Sequence, residues 1–397
     1  MLDFDLDDDY DTALFFALAH LTQQQTRRPK YPTERVNWDE HLQKELYQNS
    51  FHRTYRMSYP SFLKLKGLLG DKIVLNGSRS TASSGTAPII PQVVMACGIR
   101  WLAGGSPTDI KNAYGLTVST VYRLRDLFLD AVCTTDELDM RLPDLSNPSE
   151  ISKFRSDFEK LSSSGVCKGC VGVLDGMLQR IGNPSVACAE GQVRSYFSGH
   201  YNCPGLNVLA MCDAFLRFTF FGVLNPGSAS DRMTYLKSRL PAFVDSLPFG
   251  TYVIGDAAFP LGDNLLIPFT GTYKLDPSND VYNFHISQLR IRIEMAFGHL
   301  TNKWRVLRRP LGGKLARQSQ VLEVCARLHN FGINERILGL GYLPTLRPFE
   351  EIPGSSAMRN LLVDHIRAYG LTRSQQNVAR KREHEKTFDY CEKNSLM

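Results

Sequence analysis

Two periodicities divide the chain. From about Phe51 to Val132 apolar residues recur at helical spacing, and from Val171 to Phe259 they come in short runs bounded by Gly, Pro, Asp or Asn. Helical spacing returns after His285. In "FHRTYRMSYPSFLKLKGLLG" the residues Phe62, Leu63, Leu65, Leu68 and Leu69 mark one face of a helix. Residues 91–132 parse as three more, Gln92–Leu102, Thr108–Tyr114 and Val118–Val132. The middle one runs into "YGLT", where Gly115 suits a left-handed turn and Thr117 suits the N-cap of the next helix. That is the outline of a helix-turn-helix, which points Ser119, Thr120, Tyr122 and Arg123 outward. Such residues touch phosphates and base edges in DNA-binding proteins, although a plain three-helix packing unit shares the pattern.

The short runs "VGVLDG", "LNVLAMCD", "RFTFFGVLNPG" and "TYVIGDAAF" read as strands, the second and third joined as a hairpin around Asp213–Arg217. Helical segments follow over 285–307 and 315–338. A meander of three strands, with the fourth lying parallel to the first, makes a mixed α/β domain. Ahead of it, "TQQQTRRPKYPTE" and "NGSRSTASSGTAP" read as linkers and Thr12–Leu21 as a short helix. The expected division is a 1–85 N-terminal region, an all-α helix-turn-helix region over 86–165, an α/β domain over 166–340 and a 341–397 tail.

With 397 residues, of which 43% are hydrophobic, the chain can build two or three cores. Its net charge of +6 is modest, so a basic binding surface must come from local clustering. No apolar run approaches the roughly 18 residues of a membrane span, and "ALFFALAHL" follows an acidic stretch, the wrong sign for a secretory leader. A soluble, intracellular protein without a membrane partner is expected. The nine cysteines suit reduced thiols. Only Cys167 and Cys170 form a CxxC; the other zinc-ligand types, Cys188, His200 and Cys203, are irregularly spaced, and ordinary core and loop roles are preferred.

Two of the strands end on a carboxylate: Asp175 follows "VGVL" and Asp256 follows "TYVIG". An aspartate at the lip of an apolar sheet is costly unless a cation or hydrogen-bond donor meets it, and two of them ask for a shared cause. Parallel pairing of the first and fourth strands brings Asp175 and Asp256 together. In the following helix Leu289, Ile293, Phe297 and Leu300 form an apolar face with Glu294 beside it. Two Asp and a Glu in this arrangement can hold two Mg²⁺ or Mn²⁺ ions, which take oxygen ligands. Asp213 falls at the opposite sheet edge and reads as a turn residue, Asp231 as an auxiliary candidate, Asp263 as a solvated loop residue. Arg290, Lys303, Arg305, Arg308 and Arg309 lie in a segment poor in acids and favour a polyanion. Arg180, Arg194, Tyr196, His200 and Tyr201 add to the active edge. Trp304 reads as a packing residue.

The motifs "VLDGMLQRI", "NVLAMCDAFLRFTFFGVLNPGSASD", "VIGDAAFPLGDNLLIPF", "YNFHISQLRIRIEMAFGHLTNKWRVL" and "RLHNF" occur in this order. Together they resemble the transposases of PIF/Harbinger elements and the nuclease-like host proteins derived from them, a branch of the DDE superfamily. The similarity runs from about Phe51 to about Asn334. The resemblance implies an RNase H-like fold, a catalytic and metal-binding triad of Asp175, Asp256 and Glu294, Mg²⁺ or Mn²⁺ as cofactor, double-stranded DNA as substrate, a separate Myb-like partner protein and nuclear residence; it leaves room for an oligomer. It departs from the family at Met177 and Leu178, where the usual continuation is Thr-His. A metal-dependent endonuclease or transposase is the expected activity, with a domesticated DNA-binding or scaffold protein as the alternative. An enzyme acting on RNA fits the helix-turn-helix less well. The "ARKREHEK" run at 379–386 is a candidate import signal, diluted by its glutamates.

Overall fold

A computed structural model of the chain describes residues 34–77, 88–340 and 363. The helix expected over 12–21, most of both linkers and the tail with its basic run lie outside these residues.

The chain opens with helices α1 (Trp38–Tyr47), α2 (Phe51–Tyr55) and α3 (Tyr59–Leu69), followed by α4 (Pro91–Leu102), α5 (Pro107–Tyr114) and α6 (Val118–Cys133). Side-chain oxygens of Asn37, Ser58, Ser106 and Thr117 cap α1, α3, α5 and α6, and proline opens α4 and α5, where no amide donor is required. The last three helices stand within a residue or two of their sequence-derived positions. Gly115 takes φ 60° between α5 and α6, and a Cβ there would run into the Glu34 carbonyl. Only glycine fits both demands. Trp38, Phe51, Tyr55 and Phe62 pack as an aromatic group, and the Tyr55 hydroxyl bonds that of Tyr114 at 2.8 Å.

After α7 (Pro148–Glu159) come strands β1 (Cys170–Arg180), β2 (Phe197–Ser198), β3 (Cys203–Cys212) and β4 (Phe218–Pro226), helices α8 (Asp231–Lys237) and α9 (Leu240–Asp245), strands β5 (Tyr252–Ile254) and β6 (Leu265–Leu266), and the long helices α10 (Pro277–Lys303) and α11 (Leu315–Leu340). The sheet is mixed. β3 pairs antiparallel with β1 and β4, β5 pairs parallel with β1, and β6 parallel with β5. The expected meander with a parallel fourth strand is therefore present, and β6 extends it. On one face Val173, Val208, Ala210 and Phe218 meet Leu289, Ile293 and Phe331 of the long helices in a core continuous with the N-terminal helices. On the other, Leu174, Leu209 and Met211 meet Tyr235, Leu240 and Phe243 in a smaller one. The alternation of Val173 and Leu174 between these cores is the period-2 geometry of a strand buried on both sides.

Two boundaries differ from the sequence reading. β1 continues four residues past Gly176, because its half-buried second part still pairs with β3 from Gly176↔Leu209 to Arg180↔Gly205. α10 starts at Pro277, capped by the Asp276 carboxylate, since its first two turns carry few apolar residues to reveal a period.

Candidate active site

Because β1 runs on, Asp175 lies within the strand rather than at its end. What stops there is the neighbour: the last β1–β5 pair is Val173↔Ile254. Asp175 stands two residues beyond the first member of that pair and Asp256 two residues beyond the second. One side of β1 is left open at this point, and both carboxylates border the opening. Asp175 shares the face of Val173, toward α10. There the Arg290 guanidinium reaches it, Nη1 lying 3.9 Å from Asp175 Oδ2 while Nη2 lies 2.8 Å from Glu294 Oε1. Arg290 thus stands between two of the three predicted acids.

Burial pushes the Asp175 carboxyl up to about 6; the Gly176 amide, donating to Oδ1 at 2.8 Å, opposes this, the Asp256 charge adds to it, Arg290 opposes it and Asp231 adds to it. Asp256 is half-buried and accepts the Ala258 amide at 2.7 Å. Glu294 is the most exposed of the three, its side chain 47% accessible.

A fourth carboxylate belongs to this group. Asp231 does not end β4, as its sequence position suggested, but occupies the first turn of α8, whose N-cap Ser230 accepts the Met233 amide. Its Oδ1 accepts from Asn207 Nδ2 at 3.0 Å, and a Cβ on Gly176 would collide with its carboxylate. The Tyr201 hydroxyl, although its residue is exposed, is pushed up by burial first and then by the charges of Asp231 and Asp175. The sequence held a helix-start signal in "SASD", but nothing local told that Gly176 would be its neighbour. By contrast Asp213 is closed off at the far hairpin, accepting from Phe215 and Arg217 amides and pairing with the Arg217 guanidinium at 2.6 Å. Asp263 is exposed and Trp304 fully buried.

The basic residues do not form one track. Arg290 is engaged with acids, and Arg317 pairs with Asp130 at 2.8 Å. Arg305 packs over Gly104, Arg308 donates to Asn302, and Arg309 is exposed. Lys303 faces a separate cavity. Arg180, Arg194, His200 and Tyr201 are exposed and Tyr196 half-buried. On α6, Ser119, Tyr122 and Arg123 are exposed and Thr120 is half-buried, its amide donating to the capping Thr117 hydroxyl at 3.1 Å. Tyr122 lies 4.8 Å under the Arg125 guanidinium. Met177 and Leu178 make apolar contacts, Met177 with the larger core and Leu178 near Gly205 and Gly227.

Among the described residues no three His, Cys, Asp or Glu side chains enclose a common metal position. Cys167 and Cys170 are free and buried, Cys188 exposed. No described helix is long and apolar enough to cross a membrane.

A protein of Arabidopsis thaliana, "Protein ALP1-like", is 23% identical to this chain over 323 residues, covering 75% of each. No solved structure matches. The DDE superfamily endonuclease family matches residues 174–330, a segment that contains Asp175, Asp231, Asp256 and Glu294, and this part of the chain is a DDE superfamily endonuclease domain.

Proposed function

We propose that this chain cleaves or joins phosphodiester bonds of double-stranded DNA in the nucleus with the aid of divalent metal, Mg²⁺ or Mn²⁺. The observation that carries the reading is the register: Asp175 and Asp256 stand at equal offsets beyond the last β1–β5 pair, and Arg290 of α10 links Asp175 to Glu294 on the same helix. Their donor chemistry fits hard cations, and Asp175, raised first by burial, also feels the charges of Asp256 and Asp231. Asp175, Asp256 and Glu294 are the residues that would hold the metal, which supplies Lewis acidity and a nucleophile at neutral pH when bound.

The chain's own residues do the rest. Arg290 ties Glu294 to β1, and Asn207 fixes Asp231 against Gly176. Ser119, Thr120, Tyr122 and Arg123 of α6 offer a polar surface for duplex DNA, joined by Arg305, Arg308 and Arg309. A Myb-like partner, implied by family resemblance, would assist binding and nuclear entry. Plasmid nicking with Mg²⁺ or Mn²⁺ tests the activity: the wild-type chain nicks and Asp256→Ala does not. Equal nicking by both removes Asp256 from the chemistry.

A second reading, a domesticated DNA-binding or scaffold protein without turnover, is favoured by the apolar Met177 and Leu178 and by a guanidinium lying among the carboxylates. Duplex binding by a wild-type chain that nicks with neither metal is its signature.

A further inference from the structure

At its far end α10 meets a cavity of about 470 Å³, walled by the α2–α3 turn, the last turn of α10 and the middle of α11. It is remote from the acids: Lys303 lies nine residues after Glu294, about 13 Å along the helix axis and half a turn around it. Arg56, Lys303 and Arg336 line it with His52 and His299, and neither Asp nor Glu does. The acid next to Arg336 is engaged elsewhere, Glu335 accepting from Ser61 Oγ at 3.1 Å and Lys64 Nζ at 2.7 Å.

Among the described residues these cations form no ion pair with an acid. Arg56 holds a left-handed conformation, φ 59°, at the end of α2, and its buried Nε has no hydrogen-bond acceptor among the described residues. Lys303 lies against Gly332 and over the Trp304 ring at 5.4 Å, and no carboxylate among the described residues offsets its charge. Burial and then Arg336 pull its ammonium down to about 8. His329 supplies no charge: its Nε2 donates to the Leu216 carbonyl at 2.8 Å, leaving Nδ1 as an acceptor. Cations gathered in a partly dry place without an anion are costly, and charge-assisted hydrogen bonds to a ligand would relieve that cost.

We infer that this cavity is an anion site for a small molecule carrying clustered phosphates, with Arg56, Lys303 and Arg336 as its donors. Its volume falls in the range of small-molecule pockets, roughly 300–1,000 Å³. A backbone phosphate of DNA has the same chemistry, but a duplex is convex and offers its phosphates singly.

The test uses the full chain, metal-free, and reads melting temperature with tripolyphosphate against sodium chloride of equal ionic strength. The expected result is a rise that grows with tripolyphosphate concentration. In Lys303→Gln and Arg56→Gln the apparent affinity falls about tenfold or more, as when a charge-assisted bond is lost. Neither variant should melt below wild type without ligand; if one misfolds, Arg336→Gln, at an exposed position, gives the same comparison. A saturating duplex oligonucleotide should leave the tripolyphosphate effect intact. Displacement by the duplex, with parallel loss of duplex affinity in Lys303→Gln, would assign the site to DNA backbone and overturn the small-molecule occupant. No rise beyond the salt control, or an equal rise in the variants, overturns the site itself. Because nicking is not read, these outcomes stand apart from those that test the nuclease.

Discussion

Helix α10 passes an acidic group at its middle and a basic cavity at its end, and the two differ in how far the chain balances them. Around Asp175 the chain provides Arg290, shared with Glu294, and amide donors at Gly176 and Ala258. Around Lys303 it provides no counter-charge among the described residues. Both sites carry surplus charge of one sign, and in each the imbalance points to a ligand of the other sign. The comparison shows why the run of basic residues on this segment is a poor guide to one continuous DNA track: helical geometry turns Arg290 and Lys303 to different partners.

The largest effect that would break or sharpen this comparison is at Asp175. Asp175→Asn should lower nicking about a thousandfold, the order expected when a group that organises several kcal/mol of transition-state stabilisation is lost. Its folded carboxyl titrates above the ordinary value, so the ionised form weighs against folding at pH 7.5. The variant should therefore melt no lower than wild type. A fall of several degrees would mean that Asp175 is held by structural donors, and that the acidic group is balanced after all.

The basic side carries the next effect, through pH. Burial first, then Lys303, His299 and Arg336, push His329 down to about 4, while its bond to the Leu216 carbonyl acts upward. A histidine depressed in the folded state contributes stability above its unfolded value, roughly 6.5, and that contribution is lost as pH falls toward 4. The loss should reach about 2 kcal/mol between pH 7 and pH 4.5, measured by urea unfolding. In His329→Gln, which can still donate to Leu216, this slope should flatten. An unchanged slope would place the acid sensitivity elsewhere.

How much of this was legible in sequence follows from the range of each signal. Caps, the Gly115 turn and the helices over 91–132 are written in neighbouring residues. The strand set and the Asp175–Asp256 pairing were readable because two apolar runs end alike and parallel pairing aligns them. The partners of Asp231 and Arg290 could not be read from the sequence because they lie far off in it: Gly176 and Asn207 for one, Asp175 for the other. The cavity was invisible for the same reason, being made where the α2–α3 turn meets α10 and α11. A run of cations can be counted from sequence, but whether each finds an acid is decided by packing.

The smallest effect separates two meanings of Arg290. If its guanidinium merely occupies a place among the carboxylates that a metal would take, Arg290→Gln should cost about 1 kcal/mol or less in metal-free protein, since its partners are partly exposed. That cost should fade in high salt, as exposed pairs are screened. Mg²⁺ should then raise the melting temperature more in the variant than in wild type, because no resident cation competes. If instead Arg290 positions Glu294 for metal binding, the Mg²⁺-dependent rise should shrink in Arg290→Gln and return in Arg290→Lys, which keeps the charge though not the fork. Melting curves with and without Mg²⁺ decide between them, and only the first outcome leaves the acidic group and the basic cavity as mirror cases, each awaiting an ion of the opposite sign.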